Sequence, residues 1–180
     1  LVTHWGVSGP AVLKLSSYAA RLLAENDYKA PLAISWIGER TRQEVEENLL
    51  KLQTANPRKQ VATLHPFGLP NRLWLYILSK LDVDAVKPWA EIGRKTLNRM
   101  IETLVNDQYT IAGKGTFREE FVTCGGVSLS SVNSKTLESK VCPNLFFAGE
   151  VLDIDAITGG FNLQAAWTTG VVAGQSAAGS

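Results

Sequence analysis

The stretch from residue 144 to 164, N-L-F-F-A-G-E-V-L-D-I-D-A-I-T-G-G-F-N-L-Q, constrains this chain more than any other part of it. Its opening run, Asn144-Leu145-Phe146-Phe147-Ala148, is short and apolar and fits a buried strand. The run ends at Gly149-Glu150, which sets a small residue and an acid side by side at the strand's carboxyl end. A loop carrying Asp153 and Asp155 follows, and Thr158-Gly159-Gly160 opens a helical stretch that runs toward Gln175. In open α/β sheets, ligands bind outside the carboxyl ends of strands, beside helix N-termini. The unpaired N–H groups and positive dipole end of such a helix favour an electron-rich ligand edge. Two glycines let backbone approach that ligand with no Cβ between them, and an acid just past the strand accepts hydrogen bonds from sugar-like hydroxyls. The pattern suits a ligand rich in hydroxyls that carries a planar heterocycle. The same pattern also describes an ordinary strand–turn–helix corner.

Composition excludes several classes. The 180 residues allow one or two domains with a proper core. A hydrophobic content of 45% against 19% charged residues is globular chemistry and not disorder. The formal charge of +1 supplies no drive toward nucleic acid or an anionic membrane, and no basic cluster suggests either. No stretch reads as a signal peptide or a membrane span, because Gln164, Thr168, Thr169 and Gly170 interrupt the apolar run near Val171. A cytoplasmic location is expected. Cys124 and Cys142 lack metal-ligand or C-x-x-C spacing, His4 and His65 are too few for a zinc site, and both thiols are expected to be buried. No metal is expected.

The rest of the chain reads as mixed α and β (α+β). Ser8-Gly9-Pro10 starts a helix, with Ser8 as the cap and Pro10 in the first turn; Leu13, Tyr18, Leu22 and Leu23 form its apolar stripe. Residues 31–37 alternate Leu32, Ile34 and Trp36 as a half-buried strand. Thr41-Arg42-Gln43-Glu44 is a capping box, opening a helix with Val45, Leu49 and Leu52 on one side and Pro57 beyond its end. Asn71 is placed to cap a further helix bearing Trp74, Ile77 and Leu78, and Pro88 to begin another bearing Trp89, Ile92, Leu97 and Met100. The period changes at Tyr109: residues 109–117 and 120–123 read as strands, with Gly113 and Gly115 marking a turn or bulge, and 128–140 as loop or short strand.

Four motifs in order carry a resemblance: Thr3-His4-Trp5-Gly6-Val7-Ser8-Gly9-Pro10, Val122-Thr123-Cys124-Gly125-Gly126-Val127, Leu137-Glu138-Ser139-Lys140, and the segment from Gly149 to Gln164. The last resembles the C-terminal flavin-binding element of flavoproteins with two dinucleotide-binding domains. Together they are similar to the C-terminal part of the bacterial BaiN-type, aminoacetone-oxidase-like family of NAD(P)/FAD-dependent oxidoreductases. The resemblance implies four segments. Residues 1–38 would end a middle or substrate domain and carry the first helix. Residues 39–106 would be a helical insert subdomain, 107–124 strands of the middle domain, and 125–180 the C-terminal part of an FAD-binding domain. It also implies FAD as cofactor, NAD(P)H as a co-substrate and a small-molecule substrate. The N-terminal Rossmann unit that carries G-x-G-x-x-G in such proteins is missing, since the nearest approach, Gly113-Lys114-Gly115-Thr116-Phe117-Arg118, lacks the third glycine. A start at Leu1 agrees with a truncated chain. Such a piece would expose apolar surface and tend to self-associate.

The resemblance puts the cofactor on Gly149, Glu150, Asp153, Gly159, Gly160, Phe161 and Asn162. Glu150 is the first candidate for a ribityl hydroxyl, although many related flavoproteins have Asp there. Asp153 shares that role, orders the loop, or is simply a solvated loop acid. The backbone N–H groups of Gly160, Phe161 and Asn162 would face the flavin's pyrimidine edge. His4 and Ser8 stand on the possible substrate side, Ser8 in an anion-binding helix start and His4 as a proton donor; His4 beside Trp5 also reads as a structural residue. No catalytic acid or base is assigned. Two rival readings are a non-catalytic module whose amphipathic helices dock a partner, and a folding fragment without independent activity.

Overall fold

Thr41 and Glu44 start a 14-residue helix by two reciprocal hydrogen bonds. The Glu44 N–H donates to the Thr41 hydroxyl at 3.3 Å, and the Thr41 N–H donates to the Glu44 carboxylate at 2.7 Å. This capping box satisfies two of the orphan donors that every helix start exposes. In the computed structural model, which describes all residues but Trp5, 116–121 and Ser180, the chain divides into two units. One comprises Leu1–Ala30 and Ala112–Ser180, the other Pro31–Ile111.

The Pro31–Ile111 unit packs three helices, α2 (Arg42–Ala55), α3 (Asn71–Lys80) and α4 (Arg94–Asn106), around one core. To take the labels in chain order, α1 (Pro10–Glu25) and strand β1 (Ala30–Ile34) precede them, and strand β2 (Asp107–Ile111) follows and pairs with β1. Val45 and Leu49 of α2 are fully buried, as their spacing requires. The rings of Trp74 and Trp89 stack at 6.4 Å, and the Trp74 indole N–H donates to the Val61 carbonyl at 2.8 Å.

Two helix starts in this unit differ from the sequence expectation. Asn71 does not cap α3; the Pro70 carbonyl accepts from both Leu73 and Trp74, so Asn71 already lies inside the first turn. Pro88 does not begin α4. It bridges to Gln60, and the Gln53 amide donates to the Trp89 and Ile92 carbonyls, which an α-helix through this segment would have used. The segment makes one 3-10 turn, Trp89–Glu91, and the α-helix starts afresh after Gly93.

Asp107, at the junction of α4 and β2, is buried and accepts three hydrogen bonds. Trp36 Nε1 donates at 2.9 Å, Lys80 Nζ at 2.5 Å and the Tyr109 hydroxyl at 2.6 Å. Tyr76 and Tyr109 hydroxyls meet at 3.0 Å, and Lys80 lies over the Tyr109 ring at 3.9 Å. Burial, followed by the hydrogen bond to Asp107, raises the Tyr109 pKa far above the ordinary tyrosine value. The folded state therefore keeps a proton that the unfolded chain releases near pH 10. Stability from this group is present below about pH 10 and is lost as pH rises above it. Denaturation midpoints on either side of that pH should fall less steeply in Tyr109→Phe than in the parent; equal slopes would refute the assignment.

In the other unit, Val2 pairs with Val7 and the Ser8 N–H donates to the Leu1 carbonyl at 2.9 Å. Ser8 is thus tied to Leu1 and is not the cap of α1. Gly9, at φ 97°, takes that place without a side-chain cap. The α1 stripe is not covered: Tyr18 is 71% and Leu22 55% exposed, and no residue of the helix is buried. The last helix, α5 (Phe161–Gly179), turns Ala165, Ala166, Thr169 and Ala173 inward and leaves Leu163, Trp167 and Val171 exposed. It runs past Gln175 to Gly179.

Residues 144–148 do not form a strand. Asn144 adopts φ 64°, and Phe146 makes a single bridge to Glu138, so a one-sided contact replaces a ladder. The expected strand at 109–117 begins two residues earlier and stops at Ile111, ahead of Gly113 at φ 157°; residues 116 and 117 lie outside the described part. Of the strand expected at 120–123, residues 120 and 121 also lie outside it, and Val122 and Thr123 are irregular. Neither thiol is buried. Cys142 sits in an exposed turn, and Cys124 is half-buried. Among the described residues no helix is long and apolar enough to cross a membrane.

Candidate functional site

The segment between Ala148 and α5 is built on backbone proximity to Gly126. The Val127 N–H donates to the Val151 carbonyl at 2.8 Å, and the Asp153 N–H donates back to the Val127 carbonyl at 3.0 Å. This parallel bridge carries residues 151–153 directly over Gly126. A Cβ there would stand 2.6 Å from the Val151 oxygen and 2.9 Å from the Leu152 carbonyl carbon. Only glycine fits. Leu152 is buried with Val132, Leu137 and Ala173, which anchors the segment from below.

From that anchor the loop is tied down at three further points. At its start, Gly149, at φ 75° in a 3-10 turn (Gly149–Val151), donates its N–H to the Thr169 hydroxyl at 3.0 Å. At its middle, Asp153 pairs with Arg21 of α1 at 2.6 Å. Near its end, the Asn162 side chain takes both polar groups of Ala156: it accepts the N–H at 2.8 Å and donates to the carbonyl at 2.9 Å. Thr158, Gly159 and Gly160 then lead into α5, with Gly159 at φ 147° and Gly160 at φ 88°.

The first bond of the α5 ladder runs from the Gln164 N–H to the Gly160 carbonyl at 3.0 Å. The N–H groups of Phe161, Asn162 and Leu163 precede that ladder, as in every helix start. Apart from its two chain neighbours, nothing lies within 4 Å of the point where a Gly160 Cβ would stand, so backbone is approachable there. Glu150 is exposed at the other end of the loop. The unit thus offers an acid and a set of helix-start donors on one tethered loop.

Cys124 completes the surroundings. Its thiol hydrogen-bonds the Asp155 carboxylate, and that bond, with burial second, pushes the thiol pKa up and keeps it protonated. Among the described residues no group of three His, Cys, Asp or Glu residues is arranged to hold a metal ion.

Gly149, Glu150, Asp153, Gly159, Gly160, Phe161 and Asn162 therefore share one loop and helix start, with Asp153 engaged by Arg21. His4 and Ser8 lie ahead of α1, where Ser8 bonds across to Leu1 and His4 is exposed. Arg21 and Thr169 were not legible as partners of this loop. Arg21 stands 132 positions from Asp153, and Thr169 lies inside the helix 20 positions beyond Gly149, so no local pattern marks either. Gly126 had a signal in the Gly125-Gly126 pair, but not its reason.

The sequence pattern of the family described as HI0933-like protein Rossmann domain matches residues 12–176. The chain is 32% identical over 170 residues to the ribosomal RNA dihydrouridine synthase of Haemophilus influenzae, covering 94% of this chain and 39% of that protein. It is 30% identical over 178 residues to the ribosomal RNA dihydrouridine synthase of Escherichia coli, covering 94% and 40%. It is 29% identical over 180 residues to the 3-dehydro-bile acid delta(4,6)-reductase of Clostridium scindens, covering 98% and 43%. The chain spans about two fifths of the length of these relatives.

Proposed function

This chain belongs to the family of HI0933-like proteins with a Rossmann domain, and from that premise we propose that it is part of an FAD-dependent oxidoreductase. In this reading it supplies the isoalloxazine and ribityl side of the cofactor site. The Rossmann unit that grips the pyrophosphate lies in sequence outside these 180 residues. The observation that carries the proposal is the tethered loop from Gly149 to Gly160, with its exposed acid at one end and helix-start donors at the other.

The residues fit such a cofactor. Gly160 leaves room for a planar group to approach the N–H groups of Phe161 and Asn162, which favour developing negative charge. Glu150 is free in orientation to accept hydrogen bonds from hydroxyls. Asp153, paired with Arg21, orders the loop in preference to binding ligand. When bound, FAD supplies the hydride-carrying chemistry, and the protein's task is to orient it and to set its electrostatic surroundings. His4 and Ser8 are kept as candidates for the substrate side.

The relatives suggest the direction of the reaction. Two are named for making dihydrouridine and one is named a reductase. We therefore assign to the whole protein the reduction of an unsaturated organic substrate, with NAD(P)H as the source of electrons. A small molecule is the first reading of that substrate. Ribosomal RNA is the second, favoured by the names of two relatives and separable by which of the two accepts hydride in a turnover assay. The exposed outer face of α5, with Leu163, Trp167 and Val171, would pack against the rest of the polypeptide; in the separated chain it would promote self-association.

A flavin titration of the full-length protein, followed by absorbance and fluorescence quenching, tests the proposal. The parent should bind. Gly160→Val should weaken binding at least about a hundredfold, since a β-branched residue is strained at φ 88° by about 1–3 kcal/mol and also fills the approach. Glu150→Ala should weaken it about tenfold or more, the equivalent of one hydrogen bond to a charged group. A full-length protein that takes up no flavin would end the oxidoreductase reading.

A further inference from the structure

Asn162 and Thr169 lie seven residues apart on the inner side of α5, and each side chain reaches out of the helix to a different end of the same loop. We infer that these two side chains are positioning residues, which fix the distance between the acid end and the donor end of the cofactor cradle. The inference rests on the flavin reading and adds to it two roles that neither side chain has as a direct ligand.

The chemistry of each contact is specific. The Thr169 hydroxyl donates its proton to the Ala165 carbonyl at 2.7 Å within the helix. With the proton so directed, the oxygen presents a lone pair to the Gly149 N–H. A hydroxyl is required for that double duty; a methyl in its place leaves the Gly149 N–H without its acceptor in a half-buried position. Asn162 uses one amide oxygen and one amide N–H on the two polar groups of a single residue, Ala156, so it holds the peptide in position and orientation together.

The two contacts act in concert because α5 is a rigid rod. Glu150 follows Gly149 directly, so Thr169 sets where the acid stands. Ala156 lies four positions before Gly160, so Asn162 sets how the chain enters the helix start whose N–H groups face the ligand. The Arg21–Asp153 pair orders the middle of the same loop, but with the Arg21 side chain 61% exposed it adds little to the spacing of the two ends. The rigidity of the cradle is therefore assigned to the two helix side chains.

The test uses the full-length flavoprotein and three substitutions, with circular dichroism to score the folded fraction. Thr169→Val and Asn162→Ala should each raise the flavin Kd at least about tenfold and blur the fine structure of the visible flavin band. Thr169→Ser, which keeps the hydroxyl, should restore both to near the parent's values. In the unsubstituted protein, adding FAD should slow hydrogen exchange at the Gly149 and Ala156 amides together, a readout that survives even if a variant fails to fold. Folded variants with the parent's Kd and spectrum, or bound flavin with unchanged exchange at both amides, would overturn the inference while leaving the flavin reading intact. A full-length protein with no flavin affinity would overturn both.

Discussion

Gly126→Ala is expected to destabilise the unit containing residues 112–180 by about 2–6 kcal/mol, the sum of backbone strain and overpacking. The residue sits at φ 142°, and its added methyl would meet three backbone atoms of residues 151–153 at 2.6–3.1 Å. Those atoms belong to peptide groups and not to the ends of flexible side chains, so relief requires moving the strand-like bridge itself. That movement breaks the reciprocal bonds between Val127 and residues 151 and 153. The site loop then loses the support that Leu152 supplies from the core. Hydrogen exchange gives a local reading: the amides of Val127 and Asp153 should lose protection, while those of α2 and α4 keep theirs. A variant that retains both protected amides and unfolds within about 1 kcal/mol of the parent would contradict the close approach.

Asp107→Ala carries the second large effect, in the unit formed by residues 31–111. Three donors converge on this one buried carboxylate, from Trp36, Lys80 and Tyr109. Removing the acceptor leaves them unsatisfied together, and breaking a buried ion pair from one side costs about 3–5 kcal/mol. The Lys80 side chain is 32% exposed and can turn toward water, so the larger part of the loss falls on the indole N–H and the phenol. Asp107→Asn keeps one acceptor oxygen and should lose about half as much. Chemical denaturation of the three proteins checks the order. An alanine variant as stable as the asparagine variant would show that acceptance by the carboxylate is not what holds this junction.

Local chemistry was legible where the deciding contacts lie within a few residues. The Thr41–Glu44 box spans three positions, so its motif and its structure coincide. The burial of Val45, Leu49, Trp74 and Ile77 follows from helical spacing in the same way. The alternation of Leu32 and Ile34 recurs in β1, though Trp36 lies in the turn beyond it. The opening of a helix after Gly159-Gly160 was also readable, because two glycines and a following apolar run need no distant partner.

Elsewhere distant groups decided. Pro88 looked like a helix start until Gln53, more than thirty positions earlier, claimed the carbonyls that a helix would have used. Residues 144–148 have a strand's composition, but a strand also needs successive partners, and Asn144 turns away at positive φ. The α1 stripe has helical periodicity without burial, because periodicity names the side that is apolar and not the surface that covers it.

For the site, the sequence by itself determined the candidate loop, its acid, its glycines and the helix that follows, since these are consecutive residues whose conformational needs are local. The tertiary structure alone decided that Gly126 must be glycine, that Arg21 takes Asp153, and that Asn162 and Thr169 hold the loop's two ends. Each of those facts is a meeting between groups that the chain brings together only on folding, and a hydrogen bond or a close contact leaves no trace in sequence until both partners have a position.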